Sequence, residues 1–146
     1  MKQILVAAIC LLNLTLAKAA LRDRLQGFSA GAHQGGIFNG TTPNTLQNFK
    51  HAIRDGVDII ETDLRLTKDG VIVVYHNEGL IGTANCTGQV SDRPWSYIKN
   101  CRSIGNLEKI PKFETLLKMV NGAVVINAEF KTPEVVKGAI DLVNKY

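Results

Sequence analysis

Beyond its first nineteen residues, the sequence has no apolar run long enough to cross a membrane. Its Lys and Arg residues are scattered and have no aromatic stacking platform beside them, which argues against nucleic acid binding. A phosphate-cradling P-loop, a G-x-G-x-x-G fingerprint and a Ser nucleophile elbow are all missing. There is no internal repeat and no low-complexity tract. These absences exclude the commonest nucleotide-binding and serine-hydrolase sites and leave a globular domain with another kind of site.

The first nineteen residues predict a signal peptide rather than a part of the fold. A short basic start precedes the apolar run ILVAAICLLNLTLA, and Ala17-Lys18-Ala19 has the small-x-small pattern that a signal peptidase cuts. The alternative is an uncleaved anchor, but the run is shorter than the roughly 20 residues of a spanning helix. Ile9 precedes Cys10 where a lipoprotein site needs a small residue, which argues against lipid attachment. The expected location is therefore periplasmic or secreted, with residues 20–146 as the mature domain.

The mature chain has little net charge and few cysteines. Cleavage removes two lysines, lowers the formal charge from +4 to +2, and leaves 127 residues, enough for one hydrophobic core. Cys86 and Cys101 remain, and export to an oxidising compartment favours a disulfide between them. Two unrelated free thiols are the alternative. A zinc site is a poorer interpretation because neither cysteine has a second Cys or His at ligand spacing.

Four apolar, strand-like runs alternate with helical patterns, which predicts an α/β fold with a mostly parallel sheet. The predicted strands lie near 28–32, 57–60, 71–75 and 123–126. Between residues 77 and 103 the pattern dissolves into a loop insertion rich in Gly, Asn, Thr and Ser. Connections of this length inside compact domains usually have a function, so the insertion is expected to contribute to a site.

Three segments show the apolar period of an amphipathic helix. The first is NTLQNFKHAIRDG, in which Gly56 stands where a helix cap belongs, and the second is PKFETLLKMVNG. The third, TPEVVKGAIDLVNKY, predicts Thr132 as the N-cap and Pro133 at the first helical position. The predicted buried faces are Leu46, Phe49, Ala52 and Ile53 in the first helix and Phe113, Leu116, Leu117 and Val120 in the second.

Polar side chains follow each predicted strand at its carboxyl end, which is the edge where parallel sheets and barrels bind ligands. They are His33 and Gln34, Glu61 and Asp63, His76 and Asn77, and Glu129 and Lys131. Residues two apart on a strand share a face, so Glu61 and Asp63 should point the same way. A surface salt bridge or a satisfied core histidine explains any one of them alone. Their combination favours a site.

The dipeptide Asp69-Gly70 predicts a tight hairpin, because too few residues separate the flanking runs for a parallel crossover. If these two residues form the loop, His76 lies directly opposite Asp63 on the neighbouring strand. This register would bring a histidine to the carboxylates.

Three carboxylates that converge on one point repel one another unless a cation lies between them. Glu61, Asp63 and Glu129 form such a set if the strand ends meet. Ligation by oxygen alone favours one divalent cation, Ca²⁺ or Mg²⁺, over zinc. Two histidines nearby could then act as general acid and base.

The sequence contains the motifs AHQGG, TPNTLQNF, GVDIIETDLRLTKDGVIVVYHNE, TGQVSD, IPKFETLL and NAEFK. In these motifs, from His33 to Lys131, it resembles the amino-terminal half of a glycerophosphodiester phosphodiesterase. The most specific is ETDLRLTKDG followed by VVYH. The resemblance implies an α/β fold. This fold would be a TIM-type (β/α)8 barrel like that of the phospholipase C-like phosphodiesterases. A complete barrel takes about 250 residues, so only about the first half is expected in this chain, as in a fragment.

The same resemblance implies metal-dependent hydrolysis of a glycerophosphodiester to an alcohol and sn-glycerol 3-phosphate, a step in lipid and glycerol metabolism. The implied site consists of the catalytic residues His33 and His76, the metal ligands Glu61, Asp63 and Glu129, and the substrate contacts Gln34 and Lys131.

The sequence departs from the family pattern at three positions near this site. Gln34 stands where the family usually has Arg, Pro43 where it has Glu, and Asn77 where Asp is common. The loss of Arg removes a permanent positive charge from the phosphate site. Two alternatives therefore stay open. One is a phospholipase D-like lipid phosphodiesterase, and the other is a truncated, non-catalytic remnant.

Overall fold

The computed structural model describes residues 29–146 together with Asp23, so the predicted signal peptide lies outside the described residues. Within that part of the chain, no helix is long and apolar enough to cross a membrane. The strands are β1 Gly31–Ala32, β2 Ile59–Leu66, β3 Ile72–Val74 and β4 Val125–Phe130. The α-helices are α1 Leu46–Arg54, α2 Trp95–Ile98, α3 Phe113–Val120 and α4 Glu134–Lys145, with 3-10 turns at His33–Gly35 and Val90–Asp92.

Strand β2 is the centre of the sheet. It pairs in parallel with β4 over six residues, from Ile59 to Leu64, and in parallel with β1 at its start. Strand β3 pairs antiparallel with the other end of β2, from Leu64 to Leu66. Because β4 lies along one edge of β2, β1 and β3 share the opposite edge. The predicted α/β order and mostly parallel sheet are confirmed, and β2 and β4 extend further toward their carboxyl ends than expected.

The predicted hairpin register is wrong by one residue. Leu64 pairs with Val74, and the amide of Tyr75 donates to the carbonyl of Asp63 at 2.9 Å. Tyr75 therefore lies opposite Asp63, and His76 lies one position beyond.

The register differs because the hairpin loop has three residues instead of two. The Thr67 hydroxyl accepts a hydrogen bond from the amide of Val71 at 3.0 Å and donates one to Asp69 at 2.6 Å. Gly70 takes a φ of +80°, a conformation that glycine adopts without steric cost. A three-residue loop that ends in a left-handed glycine is the next most common hairpin connection after the two-residue loop.

The helices bury the faces that their apolar periods predict. Helix α1 begins after Thr45, whose hydroxyl accepts a hydrogen bond from the amide of Asn48. Helix α4 begins one residue later than expected, with Pro133 rather than Thr132 as its N-cap. Pro133 itself has helical backbone angles (φ −59°, ψ −29°), so the predicted and the observed start of the helix differ by only one residue. The main core contains residues of the sheet and of α1, α3 and α4: Phe49, Ala52, Ile60, Leu64, Phe113, Leu116, Val120, Val135 and Ala139.

The insertion expected at residues 77–103 contains more regular structure than its sequence indicates. It includes α2 and one 3-10 turn, and it shares a second apolar cluster with the outer face of the hairpin. Val73 and Tyr75 supply the hairpin side of this cluster, and Leu80, Val90 and Ile98 supply the insertion side. The insertion is therefore packed against the sheet.

A disulfide joins Cys86 to Cys101, as predicted, with 5.6 Å between their Cα atoms. We expect the double substitution of both cysteines by Ser to lower the free energy of unfolding by about 3 kcal/mol, because the bridge closes a short loop in the unfolded chain. Urea denaturation measures the loss. Reduction of the disulfide should lower the free energy of unfolding of the wild type by the same amount, and it should leave that of the variant unchanged. Equal stability of the variant and the oxidised wild type would contradict this role.

Candidate active site

Strands β2 and β4 bring three carboxylates together. Asp63 pairs directly with Glu129 across the parallel ladder, and Glu61 lies two residues earlier on β2. One oxygen from each of these side chains lies within 4.8 Å of the other two. The sequence predicted this convergence from the two-residue period of a strand.

Asp63 is the buried centre of the cluster, with 1% of its side chain exposed. Its Oδ2 accepts hydrogen bonds from the side-chain amides of Asn44 at 2.7 Å and Gln34 at 2.9 Å. Its Oδ1 lies 2.7 Å from Lys131 Nζ in an ion pair without hydrogen-bond geometry. Burial alone raises the pKa of Asp63, but the close ammonium of Lys131, the hydrogen bond from Asn44 and the charge of His76 bring it below its usual value. Asp63 is therefore ionised at neutral pH.

Lys131 lies between two of the carboxylates. Its ammonium contacts Asp63 and donates a hydrogen bond to Glu129, and only 14% of its side chain is exposed. Burial lowers the pKa of Lys131, yet its close contacts with both carboxylates and their negative charges raise it above its usual value. The lysine is therefore positively charged inside the cluster.

Glu61 has one satisfied and one unsatisfied oxygen. Its Oε2 accepts a hydrogen bond from the backbone amide of Gln34 at 2.8 Å and lies 3.8 Å from His33 Nε2. Its Oε1 is buried and has no hydrogen-bond partner among the described residues. A buried carboxylate oxygen without a partner is costly, so the chemistry of this atom suits a ligand to a cation.

The segment that follows β1 brings Gln34 to the carboxylates. Gln34 has left-handed backbone angles (φ +51°, ψ +27°), which turn its amide and its side chain toward β2. Gly35 follows with a φ of +83°, and a Cβ there would lie 2.8 Å from Phe49 Cδ1. Only glycine fits this close approach to α1. This explains the first glycine of the AHQGG motif.

Two buried asparagines, neither of which the sequence predicted as a site residue, hold this segment in place. Asn48, on α1, donates to the carbonyls of Gln34 and Gly36 at 2.9 and 2.8 Å. Asn44 donates to Asp63 and accepts from the backbone amide of Asp63 at 3.2 Å. The available signal was an Asn at each of two positions in TPNTLQNF, which carries no information about long-range partners.

The two predicted catalytic histidines differ in their surroundings. The side chain of His33 is 80% exposed, although its Nε2 points toward Glu61. His76 is also exposed, and its Nδ1 forms a hydrogen bond with Asn77 Oδ1 at 2.7 Å. The carbonyl of His76 accepts a hydrogen bond from Arg65 Nε at 2.9 Å, which fixes the backbone after β3. Both rings are accessible to a molecule that arrives at the carboxylates.

A cavity of about 220 Å³ opens beside this cluster. Gln34, Asn44 and His76 line it on the side of the carboxylates, and Thr83 and Ser103 line it on the side of the insertion. The hydroxyls of Tyr75 and Thr83 form a hydrogen bond that ties the insertion to the hairpin. The insertion therefore forms one wall of the candidate site.

Comparisons with known proteins identify relatives of this chain. The profile of the glycerophosphoryl diester phosphodiesterase family matches residues 33–143. A glycerophosphodiester phosphodiesterase of Bacillus altitudinis is 37% identical over 109 residues, covering 68% of this chain and 44% of that protein. The chain thus spans less than half the length of that relative.

Solved structures extend the likeness to the fold. A glycerophosphodiester phosphodiesterase from Agrobacterium tumefaciens matches with a TM-score of 0.70 at 26% identity, over 81% of this chain and 54% of that one. A phosphodiesterase from Oleispira antarctica, solved with the product sn-glycerol-3-phosphate, matches with a TM-score of 0.73 over 81% and 52% of the two chains. At 21% identity the second match supports the fold alone. The fold is part of a TIM-type barrel, and the chain belongs to the glycerophosphoryl diester phosphodiesterase family.

Proposed function

We propose that the protein hydrolyses glycerophosphodiesters to an alcohol and sn-glycerol 3-phosphate with the help of one divalent cation. The observation that carries the proposal is the convergence of three carboxylates beside two accessible histidines. Membership of the family and the names of the relatives support the same reaction class.

The residues present fit a divalent cation. Glu61 Oε1 and Asp63 Oδ1 are buried oxygens without hydrogen bonds among the described residues, and Glu129 adds a third carboxylate. A donor set of oxygens alone suits Ca²⁺ or Mg²⁺. Glu61, Asp63 and Glu129 would hold the ion, and a bound ion would neutralise charge that develops on the phosphoryl oxygens.

His33 and His76 are proposed to move the protons. The hydrogen bond between His76 Nδ1 and Asn77 orients that ring and leaves Nε2 for the substrate. His33 Nε2 lies 3.8 Å from Glu61 Oε2, so this ring faces the carboxylates. One histidine would accept the proton of the glycerol 2-hydroxyl as it attacks phosphorus, and the other would donate a proton to the leaving alcohol. Water would then open the resulting cyclic phosphate to give sn-glycerol 3-phosphate.

Gln34 contributes to this site chiefly through Asp63. One of its side-chain N–H groups is held by Asp63 Oδ2, and Asn44 donates to the same oxygen. The two amides together fix the orientation of the buried carboxylate without adding charge. The predicted substrate contact of Gln34 would use its remaining N–H or its carbonyl, so it would be weaker than that of an arginine.

A phospholipase D-like action on a lysolipid is the second candidate. The observation that favours it is the neutral Gln34 at the position where the family has Arg. The two candidates differ in product, because the lipid reaction yields a cyclic phosphate and the leading one yields sn-glycerol 3-phosphate. Identification of the product by mass spectrometry separates them, and the absence of any product would favour the non-catalytic remnant.

We also propose that the protein is exported to the periplasm or the cell exterior. The disulfide between Cys86 and Cys101 supports an oxidising compartment. Amino-terminal sequencing of the exported protein should begin at Ala20. A protein that retains residues 1–19 would favour the anchor instead.

The roles of the histidines are tested by hydrolysis of glycerophosphocholine. We expect His33→Ala and His76→Ala each to lower kcat by about 10² to 10⁴, the range typical of a general acid or base. His51→Ala is the matched control, because His51 lies on α1 and stacks on Phe38. It should keep the wild-type rate. Rates for all three variants that equal the wild type would contradict the proposed chemistry.

A further inference from the structure

The position of Lys131 raises a conflict with the proposed cation site. Its ammonium lies 2.7 Å from Asp63 Oδ1 and donates to Glu129 Oε1. Both oxygens belong to side chains that would ligate a divalent cation, and the lysine is mostly buried among them. The ammonium and the cation would therefore require the same part of the cluster.

Distances show why both cannot occupy it. Ca²⁺ and Mg²⁺ bind carboxylate oxygens at about 2.0 to 2.6 Å. An ammonium that kept its contact with the same Asp63 oxygen would lie roughly 3 to 4 Å from the ion, where two positive charges repel strongly. The other oxygen of Asp63 offers no alternative, because it already accepts hydrogen bonds from Gln34 and Asn44.

We propose that Lys131 is an internal counter-ion that competes with the divalent cation, so that cation binding releases its ammonium toward the substrate. This inference rests on the proposed cation site. In the cation-bound protein the flexible lysine side chain turns away from Asp63 and presents its charge to the phosphate. The predicted substrate contact of Lys131 thus forms only after the cation has bound.

If Lys131 competes with the cation, its removal should strengthen cation binding. Removal of a residue that supports the cation site should instead weaken that binding. Lys131→Met keeps a long apolar stem and removes the ammonium, so the cation no longer has to displace it. We expect Ca²⁺ or Mg²⁺ to bind about tenfold more tightly to Lys131→Met than to the wild type, as measured by isothermal titration calorimetry of the folded, chelator-treated proteins. Turnover of Lys131→Met should nevertheless fall, because the substrate phosphate loses its contact with the Lys131 ammonium.

The matched control is Lys118→Met, which removes the same charge from an exposed ion pair with Glu114 on α3. Its cation affinity should equal that of the wild type. A second measurement tests the movement itself. Reductive methylation followed by mass spectrometry should modify Lys131 of the wild type faster when the cation is present, while Lys118 and Lys137 react at unchanged rates.

The outcomes separate this inference from the proposed function. Tighter binding by Lys131→Met with cation-dependent methylation of Lys131 supports competition. Equal or weaker binding by Lys131→Met, when the wild type binds the cation, overturns the inference and leaves the cation site standing. Absence of cation binding by both proteins overturns the cation site and the inference together.

Discussion

Glu61→Gln should weaken binding of Ca²⁺ or Mg²⁺ by at least about 100-fold. Loss of a residue that only supports a metal ligand costs up to about 100-fold in affinity, and Glu61 is itself a proposed ligand. Glu61 Oε1 is buried and has no hydrogen-bond partner among the described residues, so its negative charge has no evident structural use without an ion. The substitution keeps the size of the side chain and permits the hydrogen bond from the Gln34 amide. The fold should therefore survive while the affinity, measured by isothermal titration calorimetry, is lost.

Asp141→Asn is the matched control for this variant. Asp141 lies on α4, is exposed and pairs with Lys137, so its neutralisation removes one negative charge away from the cluster. Its cation affinity should stay within about twofold of the wild type, since exposed charges are screened by solvent. Equal affinities of Glu61→Gln and Asp141→Asn would show that the carboxylate cluster does not hold the ion.

Phe49→Ala should lower the free energy of unfolding by about 3 to 5 kcal/mol, the usual cost of removing a buried aromatic ring. Phe49 is fully buried in the main core, and its ring lies against Gly35 in the segment that carries Gln34. The deletion leaves a cavity beneath that segment and loosens the backbone amide that contacts Glu61. Urea denaturation measures the stability, and the same titration calorimetry should show weaker cation binding.

Leu107→Ala provides the control for the loss of apolar side-chain atoms, because Leu107 is an exposed residue outside both core clusters. Its stability should change by less than about 0.5 kcal/mol. A loss below about 1 kcal/mol in Phe49→Ala would contradict the packing of α1 against the sheet.

The main elements of the fold follow from local patterns in the sequence. The two-residue period of β2 predicted that Glu61 and Asp63 share a face, and the parallel order of the strands predicted that Glu129 joins them. Both statements need only the geometry of a strand and the position of its carboxyl end. The disulfide followed in the same way from there being two cysteines in the mature chain.

Other features depend on side-chain contacts that no local pattern contains. The Thr67 hydroxyl selects a three-residue hairpin loop, so the register inferred from Asp69-Gly70 was wrong by one position. The site contacts of Asn44 with Asp63 and of Asn48 with the carbonyls of Gln34 and Gly36 join residues 12 to 19 positions apart in sequence, so these roles appear only in the folded chain. The insertion lacks a clear period because its apolar residues pack around a disulfide and irregular turns.

Strand β2 connects most of these contacts to the site. It supplies two of the three carboxylates, and its neighbour β4 supplies Glu129 and leads directly to Lys131. The hairpin on its other side leads to His76, and the turn after β1 leads to His33 and Gln34. All seven predicted site residues therefore lie on or directly after one sheet, which explains how a chain that spans 44% of a relative's length contains the whole candidate site.

Cation-dependent hydrolysis of a glycerophosphodiester is tested by the release of sn-glycerol 3-phosphate from glycerophosphocholine by the wild-type protein. The assay is run with Ca²⁺, with Mg²⁺ and with a chelator. Cation-dependent hydrolysis predicts release with at least one of the two ions and none with the chelator, and release should return when the ion is added back. Release that continues unchanged in the chelator, or no release from a folded protein that binds the ion, would contradict it.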